Sequence, residues 1–240
     1  MSLPASDVRT AVITGAGSGI GRATVQRLRA DGWRVLGLDR AGDDAEIVRA
    51  DVTDLASLEA AVATLGDSPV DALVLAAGIW SSEDNRYSSV SLDVWNQTMA
   101  VNVTGAMLSL RAVAPRFRSG SSVVTVASLA AISGIPRRDA YTASKGAIVA
   151  LTRAWAADLI RLGVRVNCIA PAQVATPMTQ HVTGLDAELL PLSREAEPAE
   201  IVEVVLALIN PAASYLNGAI IPVDGGLTAA SALVPISLRR

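Results

Sequence analysis

Tyr141 and Lys145 lie four residues apart in the run Tyr141-Thr142-Ala143-Ser144-Lys145, and Lys145 is the only lysine in a chain that otherwise writes its cations as arginine. On a helix, residues at i and i+4 share a face, so the phenol and the ammonium point into one space. A nearby cation stabilises phenolate over phenol and draws the tyrosine pKa toward the range where a general acid or base works best. Arginine is a poor substitute there, because its planar fork is bulkier and geometrically fixed where lysine is a compact point charge. A solvated Tyr-Lys pair on an amphipathic helix has the same spacing, so the rest of the chain must decide between the two.

The elements that would position this pair alternate from end to end. Short β-rich runs fall at Thr10–Thr14, Arg34–Asp39, Ile47–Ala50, Ala72–Ala76, Ser122–Ala127, Arg165–Ala170 and Ala219–Val223. Helical patterns fill the gaps at Ile20–Ala30, Leu55–Leu65, Leu92–Phe117, Ala140–Leu162 and Pro198–Ile209. Strands alternating with helices predict βαβ units on a parallel sheet, and continuous apolar strands predict a sheet covered on both faces. Ser91 is the expected N-cap of the third helix, and Pro198 suits the first turn of the last. The stretch Thr176 to Glu197 is the least regular and reads as a substrate loop.

Behind the first strand comes Thr14-Gly15-Ala16-Gly17-Ser18-Gly19-Ile20-Gly21, running straight into a helical pattern. Glycines allow a tight turn and close backbone approach to a pyrophosphate, while the amides and dipole of the following helix face its charge. The spacing is TGxxxGIG rather than a strict G-x-G-x-x-G, and a plain flexible turn is the competing reading. Asp39 ends the second strand, where a carboxylate accepts both ribose hydroxyls and repels a 2′-phosphate, which favours NAD over NADP. Arg40 beside it argues the other way, since an arginine pairs with that phosphate. Asp51-Val52, after the third strand, is placed to hold the adenine edge, with a plain loop aspartate as the alternative.

Composition narrows the class of function. The chain has 240 residues, enough for one α/β domain spanning 1–240, and 51% of them are hydrophobic without any run of membrane-spanning length. A net charge of −3 leaves no electrostatic footprint for nucleic acid. One histidine, His181, excludes a histidine-rich metal site, and no metal is expected. The one cysteine, Cys168, sits in a strand-like apolar setting and reads as an inert core thiol in a reducing compartment. With no signal-peptide pattern at the start, the cytoplasm is the expected location and a small molecule the expected partner.

Taken together, TGxxxGIG at Thr14–Gly21, Asn102, Ser128 and YxxxK at Tyr141–Lys145 resemble the short-chain dehydrogenase/reductase family in its single-domain form. The resemblance implies a doubly wound, Rossmann-like parallel sheet of seven strands in the order 3-2-1-4-5-6-7. It also implies a dinucleotide held by Gly15, Gly17, Ser18, Gly19, Ile20, Gly21, Asp39, Arg40, Asp51 and Val52. The same site would draw on backbone from Ala76, Ala77 and Gly78, on Tyr141 and Lys145, and on Pro171, Val174 and Thr176 near the nicotinamide. In the implied chemistry, hydride passes between a secondary alcohol or ketone and the nicotinamide. Tyr141 is the acid or base, its pKa lowered by Lys145; Ser128 holds the substrate oxygen, and Asn102 anchors a water leading to Lys145. Two departures stand out: Leu75-Ala76-Ala77-Gly78 replaces the family's Asn-Asn-Ala-Gly, and Pro171-Ala172 replaces its Pro-Gly.

Substrate identity is only faintly written. Ala130, Ala131, Ile132, Ile135, Met178 and Leu185 suggest a mainly apolar pocket with Trp80 closing one wall, while Arg137 and Arg138 either meet an acidic group or are solvated. The leading expectation is an NAD-dependent secondary-alcohol dehydrogenase. An NADPH-dependent 3-oxoacyl carrier-protein reductase is the alternative, and a nucleotide-sensing protein without chemistry is a third reading. Assembly into a homotetramer through the long helices is what the family implies.

Overall fold

The computed structural model describes residues 8–42, 47–179 and 190–229. Among these, seven strands form one parallel sheet: β1 (Thr10–Thr14), β2 (Arg34–Asp39), β3 (Ile47–Arg49), β4 (Val70–Leu75), β5 (Phe117–Val126), β6 (Arg165–Pro171) and β7 (Ile220–Val223). Their order is β3-β2-β1-β4-β5-β6-β7, as expected. The chain moves outward from β1 in both directions, so the order reverses between β1 and β4. That is the place where loops splay apart and leave a crevice at the carboxyl ends of the strands.

Among the described residues six α-helices cover the sheet: α1 (Gly19–Ala30), α2 (Leu55–Ala63), α3 (Leu92–Met99), α4 (Gly105–Val113), α5 (Asp139–Leu159) and α6 (Pro198–Ile209). Alternation along the strands divides the core in two. Val12, Leu73 and Leu75 pack with Leu58 of α2, Leu110 of α4 and Ile148 and Trp155 of α5. Ala11, Ile13 and Val74 point the other way, onto Val25 and Leu28 of α1 and Ile201 and Val205 of α6. Both faces are therefore dry, which is why β1 and β6 are buried at every position.

One expected helix is three pieces. Where Leu92–Phe117 read as continuous, α3 passes into a π-helical segment, Ala100–Thr104, before α4 begins. Gly105 lies at the junction, and a Cβ there would sit 2.7 Å from Cγ2 of Val52, so the close packing on the turn after β3 requires glycine. The helix ends at Val113 because Pro115 follows within a 3-10 turn, and Phe117 already belongs to β5. At its other boundary Ser91 caps α3 as expected, its hydroxyl accepting from the N–H of Val94 at 3.2 Å. The far end of α5 tightens into a 3-10 turn, Ile160–Leu162, closed by Gly163 in the left-handed conformation at φ 69°.

Candidate active site

The turn after β1 is shaped by what a side chain would hit. Gly15 has φ +69°, and a Cβ there would lie 2.7 Å from the backbone nitrogen of Ala77 at the end of β4. At Gly21 a Cβ would lie 2.1 Å from the carbonyl oxygen of Gly15. Glycine thus lets α1 start directly under the loop. Ser18 makes no side-chain cap, so it leaves the orphan N–H groups at the head of α1 to other partners. Thr14 accepts a hydrogen bond from the N–H of Ala77 at 3.2 Å and locks the ends of β1 and β4 together.

Asp39 reaches back from β2 over this turn. Its carboxylate accepts from the N–H of Gly17 at 2.9 Å and of Ala41 at 3.0 Å. Gly17 therefore works through Asp39 and does not line the cleft itself. Asp51 sits at the same end, its carboxyl held below the ordinary value by hydrogen bonds from the N–H and hydroxyl of Thr53, with a smaller contribution from the charge of Arg40. A cleft of about 340 Å³ joins these groups to Tyr141. Ser18, Gly19, Ile20, Arg40, Val52 and Ala76 to Gly78 line it, as do Ser128, Lys145, Pro171, Val174 and Thr176. Ile79, Ala127, Met178 and Thr179 face it too.

An elongated cleft running along a glycine turn, with unspent helix-start amides midway and a carboxylate at the ribose end, fits a nicotinamide dinucleotide.

At the other end the chemistry-bearing side chains converge. Tyr141 and Ser128 line the cleft together, and the Ser128 hydroxyl accepts from the N–H of Ala130 at 3.2 Å. Lys145 is 5% exposed, and its Nζ lies 5.7 Å from the centre of the Tyr141 ring. Nζ donates to the carbonyl of Val126 at 2.9 Å, and burial lowers the ammonium to about 8. A Cβ on Gly78 would stand 3.2 Å from Nζ and 3.3 Å from Oδ1 of Asn102, so glycine keeps the space in front of the lysine open.

The electrostatics differ from expectation in one respect. Burial raises the Tyr141 phenol above its ordinary value, and what draws it back is the Ser128 hydrogen bond followed by the charge of Arg138, not that of Lys145. The Lys145 ammonium is directed at a strand carbonyl, and its own charge is disfavoured by burial.

Asn102 stands behind the cleft rather than in it. Its Oδ1 accepts from the N–H of Ile79 at 2.7 Å, and its Nδ2 donates to the carbonyl of Ile79 at 2.9 Å and to Oγ of Ser144 at 3.0 Å. Ser144 in turn donates to the carbonyl of Tyr141 at 2.7 Å. The π segment thus ties the loop after β4 to the face of α5 that carries Tyr141.

Asp84 was not foreseen. It is 6% exposed, and its two carboxylate oxygens accept from the N–H groups of Ala140 at 3.1 Å and Tyr141 at 2.8 Å. A loop aspartate far away in sequence therefore caps the helix that carries the tyrosine. Trp80 does not close the cleft; it is half-buried, with the Arg138 guanidinium 4.7 Å from its ring centre. Of the expected apolar lining, Met178 faces the cleft, Ala130 is packed into the core and Ile132 is 40% exposed. Cys168 is fully buried, as an inert core thiol should be. His181, Leu185 and most of the expected substrate loop lie outside the described residues, as does the tail beyond residue 229.

Residues 15–228 match the family model described as enoyl-(acyl carrier protein) reductase. Galactitol 2-dehydrogenase (L-tagatose-forming) of Cereibacter sphaeroides is 39% identical, over 92% of this chain and 96% of that protein. The crystal structure of levodione reductase superposes with a TM-score of 0.86 at 33% identity, covering 93% of this chain and 98% of that one. A 3-ketoacyl-(acyl-carrier-protein) reductase from Brucella melitensis, solved with NADH, gives 0.84 at 31%, covering 91% and 97%. The chain therefore belongs to the short-chain dehydrogenase/reductase family, oxidoreductases that move a hydride between a nicotinamide cofactor and a secondary alcohol or ketone.

Proposed function

We propose that this enzyme is an NAD-dependent dehydrogenase of secondary alcohols in which Tyr141, Ser128, Lys145 and Asn102 form the catalytic group. The observation that carries the reading is that Tyr141, Ser128 and Lys145 line one cleft together with Asp39 and the glycine turn after β1. The bound dinucleotide would supply or accept the hydride at its nicotinamide ring. Ser128 would hold the substrate oxygen and orient it toward Tyr141. During oxidation the Tyr141 Oη takes the hydroxyl proton, and during reduction it returns one to the carbonyl oxygen. Lys145, held by Val126, would bind the ribose hydroxyls, and Asn102 keeps the loop bearing Gly78 and Ile79 in register with α5.

Asp39 supports NAD over NADP. Its carboxylate is fixed by the Gly17 and Ala41 amides and brings negative charge where a 2′-phosphate would lie. Titration with NADH and NADPH at matched ionic strength tests this, and tighter binding of NADPH would favour the carrier-protein reductase instead. A homotetramer is supported by apolar side chains left exposed on the helices that would meet, Met107 on α4 and Ile160 and Leu162 after α5. Light scattering that reports a monomer at micromolar concentration would rule it out. No helix among the described residues is long and apolar enough to cross a membrane. With its single buried thiol the protein suits the cytoplasm, which cell fractionation tests.

A further inference from the structure

We propose that Thr179 positions the nicotinamide half of the dinucleotide: its hydroxyl closes the turn 176–179 onto the carbonyl of Val174 and so holds the backbone along which the ring would lie. This rests on the dehydrogenase reading above and adds a positioning residue to it.

The path of the chain fixes where the ring must pass. β6 lies beside β5, with Val126 opposite Ile169 and the N–H of Ala127 donating to the carbonyl of Ile169 at 2.9 Å, so β6 ends next to Ser128. From Pro171 the chain crosses to the phosphate turn, where a Cβ on Gly19 would stand 3.2 Å from Cγ2 of Thr176. Residues 171–176 therefore bridge the end of β5 and the head of α1, and Pro171, Ala172, Val174 and Thr176 all line the cleft. A ligand with its phosphates at the glycine turn and its reactive carbon at Ser128 and Tyr141 must lie along them.

Within that run the polar backbone of Val174 is directed by its neighbours. A parallel bridge joins Val174 to Ala196, and it uses the carbonyl of Gln173 at 3.0 Å and the N–H of Ala175 at 2.9 Å. The N–H and carbonyl of Val174 itself consequently point away from Ala196. The Val174 side chain, 4% exposed, is packed with Ile201 and Val205 of α6.

Thr179, which also lines the cleft, meets this backbone. Its Oγ1 donates to the carbonyl of Val174 at 2.6 Å, with the carbonyl of Thr176 at 2.9 Å, and accepts from the N–H of Thr176 at 3.1 Å. The N–H of Thr179 donates to the carbonyl of Thr176 at 3.0 Å, and the two threonine hydroxyls are 3.3 Å apart. One hydroxyl thus ties Val174 to Thr176, the two residues that face the space between phosphates and chemistry. A valine at 179 would keep the shape and make none of the hydroxyl's bonds.

The test compares NADH with ADP-ribose, which has the same phosphates and riboses but no nicotinamide, by calorimetry on wild type, Thr179→Val and Thr179→Ser. Wild type should bind NADH more tightly than ADP-ribose. Thr179→Val should lose about threefold to tenfold in NADH affinity, the size expected of one neutral hydrogen bond, with ADP-ribose binding unchanged. Thr179→Ser, which keeps the hydroxyl, should keep the wild-type ratio. Unchanged ADP-ribose binding also shows that each variant is folded. Equal loss of both ligands in Thr179→Val, NADH binding there that is unchanged or tighter, or a Thr179→Ser enzyme as impaired as Thr179→Val would each overturn the proposal. So would a wild type that binds ADP-ribose as tightly as NADH. Turnover of no alcohol or ketone by wild type would instead sink the dehydrogenase reading, while the two binding ratios would still decide the role of Thr179.

Discussion

The two ends of the cleft are built from different materials. At the dinucleotide end the surface is backbone: the Gly15 turn, the head of α1 and the strand end at Ala76–Gly78, positioned by atoms that would collide if a Cβ were added. At the substrate end it is side chains, Ser128, Tyr141, Lys145 and Met178, supported from behind by Asp84, which caps the start of α5, and by Asn102, which ties Ile79 to Ser144. A backbone-built site is hard to alter by one substitution except at glycine. A side-chain-built one is easily retuned, which is how one fold accepts many substrates.

The sharpest way to break this comparison is at Tyr141. Tyr141→Phe removes one hydroxyl and keeps the ring, so kcat should fall by about 10²- to 10⁴-fold while NADH affinity is nearly unchanged. Spectrophotometric titration of the same pair without cofactor should locate the lost ionisation above 10, in keeping with the raised phenol. Near-wild-type turnover would refute the assignment.

Next in size is Asp84→Asn. The amide keeps one accepting oxygen and turns an NH₂ toward a backbone N–H, leaving a buried donor unpaired at a cost of about 1–3 kcal/mol. Melting temperature should drop, and kcat should fall more than NADH binding, because the displaced element carries Tyr141. A loss confined to melting temperature would mean that the helix start holds the tyrosine without help from the loop.

Asp39→Ala tests the other end. It removes the negative charge from the ribose site and should shift preference toward NADP by about tenfold, read as the ratio of dissociation constants. An unchanged ratio would assign discrimination to Arg40.

A pH-dependent effect is expected at Lys145. Its folded value, about 8, lies below the ordinary lysine value of 10.5, so between these limits the unfolded chain binds the extra proton. The stability of the cofactor-free wild type relative to Lys145→Met should therefore rise with pH from about 8 to about 10.5 and stay level below. Denaturant melts across that range measure it, and a flat difference would mean that burial does not penalise the ammonium.

The same division explains what could be read from the chain. The glycine turn and the Tyr141–Lys145 pair are contiguous, because a tight turn and a helix face each need neighbours in sequence, and the strand order follows from alternation. Asp84 was invisible: it acts on backbone amides of residues 140 and 141, leaving no pattern that distinguishes it from any loop aspartate. Arg138 was visible as a charge, but its ring partner lies 58 positions earlier (138 − 80), and nothing local announces the contact. The end of the helix at Val113 was misread although Pro115 is plain in the sequence, since apolar periodicity runs on into β5.

The π segment at Ala100–Thr104 has a bearing on how the chain can change length. Each residue of an α-helix advances it by about 100°, so deleting one residue from that turn would give a smoother, better hydrogen-bonded helix. It would also swing Asn102 away from Ile79 and Ser144, uncoupling the loop after β4 from the helix that carries the tyrosine. Insertions and deletions should be tolerated in the surface turns between the other elements but selected against in these five positions, where the more regular helix is the less useful one.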